Sequence, residues 1–309
     1  MNTKTLLYLL KRAALAVLTI WVVITVTFFV MRAVPGGPFA SEKAITPEVQ
    51  AALEAKYGLD KPLMEQYFTY LKDIVTDFNF GPSLKQRGRM VIDIITDGMK
   101  VSMKLGIVAA FIALVTGVIL GATAALRRNK IIDKVIMVIT TAFVWMPSFI
   151  MGSLMLLLFA IALHLLPANG NADGGLILPV VTLSLYPMAY ITRLTRSSML
   201  DVLGQDYIRT AKAKGVSGNK IIFKHALKNS LIPVLTYFGP MLAYIVTGSL
   251  VVEQIFAVPG IGRNFVNSIT NRDYTLIMGT TIVLATLIVI MNLVTDILYK
   301  VVDPRINLE

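Results

Sequence analysis

No cysteine occurs among the 309 residues, and histidine occurs only twice. That excludes a disulfide scaffold, zinc–cysteine sites, iron–sulfur clusters and thiol nucleophiles, and it leaves little for metal chemistry. Charge is also scarce: Asp, Glu, Lys and Arg make up 15% of the chain, against roughly 25% in ordinary soluble domains. Nucleotide-binding signatures are missing. No G-x-x-x-x-G-K-[ST] loop occurs, and the nearest stretch, Val216-Ser217-Gly218-Asn219-Lys220, lacks the spacing. Pro259-Gly260-Ile261-Gly262 is not a dinucleotide fingerprint, because no strand–helix unit surrounds it. No H-E-x-x-H motif is present.

Apolar side chains are what the sequence has in excess. They form 56% of it, and the mean hydropathy is +0.71. A soluble fold of this length has too little interior to hide them, and a disordered chain would be poor in hydrophobes. The remaining class is a polytopic membrane protein. A helix needs about 20 apolar residues to cross the hydrocarbon core. Six runs free of Asp, Glu, Lys and Arg meet that need: 13–31, 105–126, 135–166, 174–192, 229–252 and 274–295. The third is longer than one crossing requires. With Pro147 early and Pro167 just beyond its end, it reads as one tilted or kinked helix. The first run follows Lys4, Lys11 and Arg12 as a signal peptide would. It is too long for a signal core of about 7–15 residues, and no A-x-A site follows.

Lys and Arg set the orientation. The short loops 127–134 and 193–228 hold 4 and 8 of them, while 167–173 and 253–273 hold 0 and 2. The first two loops are therefore read as cytoplasmic, together with the termini 1–12 and 296–309. On this topology the whole +11 net charge faces the cytoplasm. Its partner is the bilayer with its anionic headgroups rather than nucleic acid. His164 and His225 then fall on opposite sides and cannot share a metal.

Three stretches outside the spans carry information. The outer segment 32–104 opens on Pro35-Gly36-Gly37-Pro38, a turn-rich exit. Thr46-Pro47-Glu48 predicts a helix start, with the helix running to about Tyr57 and stopping at Gly58. A second helix is predicted over 63–76 from the spacing of Leu63, Tyr67, Tyr70, Leu71 and Ile74. The pair reads either as packing on the outer face or as part of a docking surface. In the cytoplasmic loop, Asp206 is a natural N-cap, Tyr207 to Lys214 favours helix, and Gly215 sits where a left-handed C-terminal cap belongs. Ser217 can cap a following helix, on which Lys220, Lys224 and Lys228 repeat at i, i+4. A loop that only needs positive charge has no use for this helix–Gly–helix shape. The outer loop 253–273 is too short to span and too apolar for a plain solvated loop. It reads equally as an interfacial loop or as a stretch that dips back to line a cavity.

The spans themselves are nearly free of ionisable groups, whereas ion-coupled carriers place such groups near the midplane. Asp296, four residues before Lys300, suits a helix-surface ion pair at the inner interface. The body thus has no energy source of its own, which suits a subunit driven by another protein.

In that context the sequence resembles the membrane-spanning subunits of binding-protein-dependent ABC importers. Within them it is similar to the first permease subunit of the oligopeptide/dipeptide/nickel branch. The likeness rests on MPSFIMGSLMLLLFAIALHLLPANG at 146–170, LPVVTLSLYPMAYITRLTRSSML at 178–200 and DYIRTAKAKG at 206–215. HALKNSLIP at 225–233, VVEQIFAVPGIGR at 251–263, RDY at 272–274 and LVTDILYKVVDPR at 293–305 continue it in order. The resemblance implies an all-α polytopic membrane protein with six transmembrane helices, like a type I ABC importer permease, with a small helical outer segment. It also implies that 206–215 carries the "EAA" coupling motif, which docks on a cytoplasmic ATPase through Asp206, Tyr207, Arg209, Thr210, Ala211, Lys214 and Gly215. Ala211 and Gly215 match the motif's second Ala and its Gly. Arg209 and Thr210 replace its Glu and first Ala, His225 replaces a hydrophobe, and Pro233 comes five residues late. The outer loop, with Glu253, Phe256, Pro259, Gly260 and Gly262, is implied to face the cavity and the binding protein.

The same resemblance implies the partners: a second permease subunit forming a heterodimer, two cytoplasmic ABC ATPases and an extracytoplasmic peptide-binding protein. No cofactor is expected in this chain, since ATP and Mg²⁺ belong to the ATPases, and the chain is expected to be non-catalytic. The implied location is a bacterial or archaeal cytoplasmic membrane, with both termini inside. Short peptides are the expected substrate, with nickel chelates or glutathione-like tripeptides as alternatives on the same architecture. A stand-alone carrier is opposed by the missing midplane charges and the capped loop.

Overall fold

The computed structural model describes residues 3–35, 37–39 and 46–302, with the side chains of 10–35, 37–39, 46 and 48–294 among them. Gly36 of the expected exit turn, the outermost terminal residues and the side chains of the expected Asp296–Lys300 pair lie outside the described residues.

The described chain is helical, apart from one isolated bridge between Pro82 and Met90. Helix α1 spans Thr3–Ala33. Outside the first run, α2 spans Pro47–Lys56 and α3 spans Leu63–Asp77. These are the two helices expected from the caps. Pro47 opens α2 behind an extended Thr46, Gly58 follows its end with φ +66°, and Phe78 ends α3 in the left-handed region. Helix α4 covers Val91–Leu126 and α5 covers Ile131–Trp145. Helix α6 is α-helical over Ser148–Met155 and π-helical over Leu156–Ala162. Then come α7 (Ile177–Leu203) and α8 (Asp206–Ala213). Helix α9 consists of the turns Gly218–Lys220 and Lys228–Ser230 around a π-helical Ile221–Leu227. Helices α10 (Ile232–Val246), α11 (Leu250–Ile255), α12 (Ile261–Asn271) and α13 (Tyr274–Val302) complete the order.

Among the described residues five helical stretches are long and apolar enough to cross a membrane, Leu10–Ala33, Val91–Leu126, Ile177–Leu203, Ile232–Ile255 and Tyr274–Val294, and a bent pair makes a sixth if it is one span. The third expected run departs from the sequence reading. The expected tilted or kinked helix over 135–166 is two helices, α5 and α6, that meet at a 110° bend. Proline explains it. Pro147 has no N–H to continue α5, and its carbonyl instead accepts from Ile150 N at 3.0 Å and Met151 N at 3.1 Å, starting α6 afresh. Other boundaries shift as well. Helix α4 begins at Val91, inside the expected outer segment, and α7 runs on to Leu203, through the start of the expected 193–228 loop. The run 229–252 breaks at Thr247-Gly248-Ser249, where Gly248 adopts φ +94°.

The chain forms two compact units, Met1–Val101 with Gly260–Glu309 and Ser102–Pro259. In the first, α1 packs along α13. Ile24, Ile74, Phe80, Val91, Ile94, Ile95, Ile261, Leu276 and Ile282 form its main apolar core. The buried Asp273 caps α13 there. Its carboxylate accepts from Leu276 N at 3.3 Å and Leu84 N at 3.1 Å, and from the Ser83 hydroxyl, tying the 83–84 turn to the helix start.

The second unit is organised around α7, against which α5, α6 and α10 pack. Ala110, Ile191, Val234, Met241 and Ile245 form one of its cores. Helix α4 approaches α7 through Gly117 and Gly121, a G-x-x-x-G pair that allows close contact between helix backbones. A Cβ on Gly121 would lie 2.5 Å from the Thr192 carbonyl oxygen, and one on Gly117 would lie 2.8 Å from Ile191 Cβ. Gly121→Ala therefore overpacks this contact and is expected to cost about 1–3 kcal/mol. Gly218→Ala, whose Cβ meets nothing within 4 Å, serves as the neutral comparison. Thermal unfolding in mild detergent should show a lower midpoint for the first variant only.

Candidate functional site

The motif at 206–215 folds as a short, defined helix. Gln205 is extended and acts as the N-cap, so Asp206 is the first helical residue rather than the cap expected from sequence. There its carboxylate still complements the helix N-terminus. Helix α8 closes with both hydrogen bonds of a Schellman motif: Gly215 N donates to Lys212 O at 3.0 Å, and Val216 N to Ala211 O at 3.1 Å. Gly215 supplies the required φ of +76°. A Cβ there would meet no atom within 4 Å, so only the backbone conformation demands glycine.

One side of α8 is an anchor. Ile208 is 0% exposed, and burying a side chain of this type contributes about 1.5–3 kcal/mol. The helix packs on the π-helical part of α9. Asn229 Nδ2 donates to the Tyr207 hydroxyl at 2.9 Å. The other side is open: Asp206, Tyr207, Arg209, Thr210 and Lys214 are exposed, Ala211 is half-buried and Gly215 is exposed. Arg209 approaches Asp206 at 3.5 Å across one helical turn, and in water such a pair contributes little. Ser217 takes the N-cap position of α9 but makes no side-chain cap bond. Lys220, Lys224 and Lys228 are all exposed, although the π-helical turn between them departs from a regular i, i+4 stripe.

The helix that leads into this module is tied to α5 by a feature that sequence reasoning missed. Arg196, near the C-terminal end of α7, makes a two-pronged ion pair with Asp133 at the start of α5. Nε lies 2.6 Å from Oδ1 and the second nitrogen lies 2.7 Å from Oδ2. Asp133 is 2% exposed and also accepts from Asn129 N at 2.9 Å. The signal was available, since Asp133 is the one acid among the four basic residues of 127–134.

The outer residues divide between the units. In Ser102–Pro259, Glu253 and Phe256 are 0% exposed. Glu253 accepts from the Ser102 hydroxyl at 2.7 Å and from Ser249 N at 3.2 Å, while Ser249 Oγ accepts from Val252 N at 3.1 Å. This reciprocal cap starts α11 just after the left-handed Gly248. Phe256 O accepts from Gly170 N at 2.6 Å. Of the outer set only Pro259 is exposed. In the other unit, Gly260 and Gly262 are buried at the start of α12. A Cβ on Gly98 of α4 would come within 2.9 Å of Ile261 N. The segment around Gly262 is therefore helix, Ile261–Asn271, rather than an irregular loop. Among the described residues no group of three His, Cys, Asp or Glu side chains could hold a metal ion.

Comparison with known proteins places the sequence in a family. A family model described as the inner membrane component of binding-protein-dependent transport systems matches residues 117–308. A second, described as the N-terminal part of such a membrane component, matches residues 5–106. The chain is 48% identical to the dipeptide transport system permease protein DppB of Bacillus subtilis over 303 residues, covering 98% of each. It is 46% identical to the oligopeptide transport system permease protein OppB of Haemophilus influenzae, covering 97% of this chain and 99% of that one. With OppB of Escherichia coli K12 the identity is 45% over the same shares. Among solved structures, a chain of the inward-facing MetNI methionine ABC transporter has the same fold. Its TM-score is 0.54 at 17% identity, covering 69% of this chain and 97% of that one.

The Asp133–Arg196 pair yields a direct expectation. Arg196→Ala leaves a buried carboxylate without its charge partner and should destabilise the second unit by about 3 kcal/mol. Arg196→Lys keeps the charge but loses the two-pronged geometry and should cost less. Detergent melting curves of the two variants check the ranking.

Proposed function

This chain belongs to the family of inner membrane components of binding-protein-dependent transport systems, and from that membership we propose that it is a permease subunit of an ATP-driven importer of short peptides. It is an integral membrane protein, and it shares its fold with a chain of a methionine ABC transporter. The names of its dipeptide and oligopeptide relatives support the substrate class. In this reading the chain forms half of the translocation pathway in a cytoplasmic membrane, with both termini inside. A sibling permease forms the other half, two cytoplasmic ATPases bind ATP and Mg²⁺, and an extracytoplasmic binding protein delivers the peptide.

The observation that carries the reading is α8: a short helix with a closed C-terminal cap, a buried anchor at Ile208 and an exposed polar face. Such a helix transmits displacement rather than absorbing it. When ATP draws the ATPases together, a docked α8 moves as a rigid body and shifts the helices behind it, opening the path alternately to each side. Arg209, Thr210 and Lys214 present the polar contact, Asp206 and Tyr207 stand at its start, and Ala211 leaves room for close approach. On the outer side Pro259 is the exposed member of the Glu253, Phe256, Pro259, Gly260 and Gly262 set, and the surface around it is offered to the binding protein.

The test is purification of the tagged chain from its native host in mild detergent, followed by mass spectrometry and peptide uptake. Co-purified sibling permease and ATPases, together with ATP-dependent peptide uptake, support the reading. A chain that runs alone after mild cross-linking and imports without ATP contradicts it. Gly215→Asp puts a side chain on the left-handed turn, at a cost of about 1–2 kcal/mol. It should lower peptide uptake while membrane insertion stays normal. Neutralising Arg209 and Lys214 together should reduce the ATPase yield on co-purification, and an unchanged yield would remove the docking role of those two residues.

A further inference from the structure

Helices α7 and α10 carry a feature that the coupling account does not use. On α7, Tyr186, Tyr190, Arg193, Ser197 and Asp201 are exposed and recur every three or four residues. They therefore form one continuous face. On α10, Tyr237 and Tyr244 are seven residues apart and share a face. The two faces adjoin, because the rings of Tyr190 and Tyr237 stack with centroids 4.3 Å apart at 29°. Tyr186 is 51% exposed and Tyr244 is 77% exposed.

These positions do not suit contact with lipid. Along the middle of two other spans the large exposed side chains are apolar: Leu15, Leu18, Val22 and Val26 on α1, and Ile107, Phe111, Val115 and Ile119 on α4. Tyrosines that anchor a helix at the headgroups sit at its ends, yet Tyr186 and Tyr190 lie in the interior of the 27-residue candidate span Ile177–Leu203. A phenol hydroxyl facing hydrocarbon has no partner for its hydrogen bonds. A dry subunit interface is also a poor match, because interface centres are depleted of acidic residues such as Asp, and this face runs on into Arg193 and Asp201. A polar face at membrane depth is at home on a water-filled path.

We infer that Tyr186, Tyr190, Tyr237 and Tyr244 form the wall of the translocation path that touches the peptide in transit, an inference that rests on the peptide-importer reading. Tyrosine suits a short peptide of varied sequence. Its ring offers an apolar face to any side chain, and its hydroxyl both donates to peptide carbonyls and accepts from peptide N–H groups. Several such contacts along two helices hold a peptide weakly and without regard to sequence, as a passage requires.

The absence of native cysteine makes the test direct. In the assembled importer in native membranes, Tyr186→Cys, Tyr244→Cys and, for comparison, Val115→Cys are exposed to a charged methanethiosulfonate reagent. The inference predicts that both tyrosine positions react at least ~10-fold faster than Val115→Cys, and that millimolar dialanine with binding protein and ATP slows them severalfold. Tyr190→Ala should raise the KM for dialanine uptake about 2- to 10-fold, the size of one lost aromatic contact, while Tyr190→Phe recovers most of it. Tyrosine positions that react as slowly as Val115→Cys, or that peptide does not protect, overturn the inference. If the unsubstituted complex imports no peptide, the parent reading fails. If it imports peptide while these positions stay unprotected, the tyrosine wall alone fails.

Discussion

A backbone amide or carbonyl that meets hydrocarbon without a partner costs several kcal/mol, and this constraint governs the whole chain. It is why the spans are helices, and why each departure from helix at membrane depth is closed by specific bonds. The 110° bend after α5 is closed by the Pro147 carbonyl, which accepts the first free amides of α6. The break at Gly248 is closed by Ser249 and Glu253, which cap α11 from both directions. Phe256 O, near the end of α11, takes the Gly170 amide. A fully buried Glu253 is thus first a means of ending one helix and beginning another inside a membrane protein. Its carboxylate is held by Ser102 and by the Ser249 amide.

The same economy of bonds holds around α8. Helix α7 is held on one side by the close backbone approach of α4 at Gly117 and Gly121, and near its C-terminal end by the Asp133–Arg196 pair. Two residues beyond α7, α8 begins, with Ile208 buried and its C-terminus sealed by the Gly215 turn. Each joint here is short and satisfied. A push on α8 would therefore reach α7 and α5 with little lost in bending, the property that the proposed coupling role requires.

Much of this was legible in the sequence. Uncharged runs located the spans, because exclusion of charge from hydrocarbon is a property of composition. Thr46-Pro47, Gly58 and Gly215 marked helix ends, because caps and left-handed turns are local chemistry. Legibility failed where the outcome depends on distant partners. The run 135–166 has no turn signal beyond Pro147, so the sharp bend between α5 and α6 could not be told from a gentle kink. Asp133 and Arg196 are 63 residues apart, so the lone acid in 127–134 stands out locally while its partner does not. The outer loop looked like one irregular segment. Instead Glu253 and Phe256 are buried in one unit, while Gly260 and Gly262 open a helix in the other, leaving Pro259 as the exposed member of the set. The G-x-x-x-G at Gly117 and Gly121 was readable but easily lost among other small residues in an apolar helix.

The central claim is that α8 is the contact through which a partner ATPase drives this chain. The most direct test places one cysteine on the exposed face of α8, as Thr210→Cys in the otherwise cysteine-free chain, and applies a short bifunctional thiol reagent to the assembled complex. The account predicts a cross-linked product between this chain and the ATP-hydrolysing subunit, with a yield that changes when ATP is bound. A complex that hydrolyses ATP and imports its substrate at the normal rate, yet gives no such product in any nucleotide state, would contradict it.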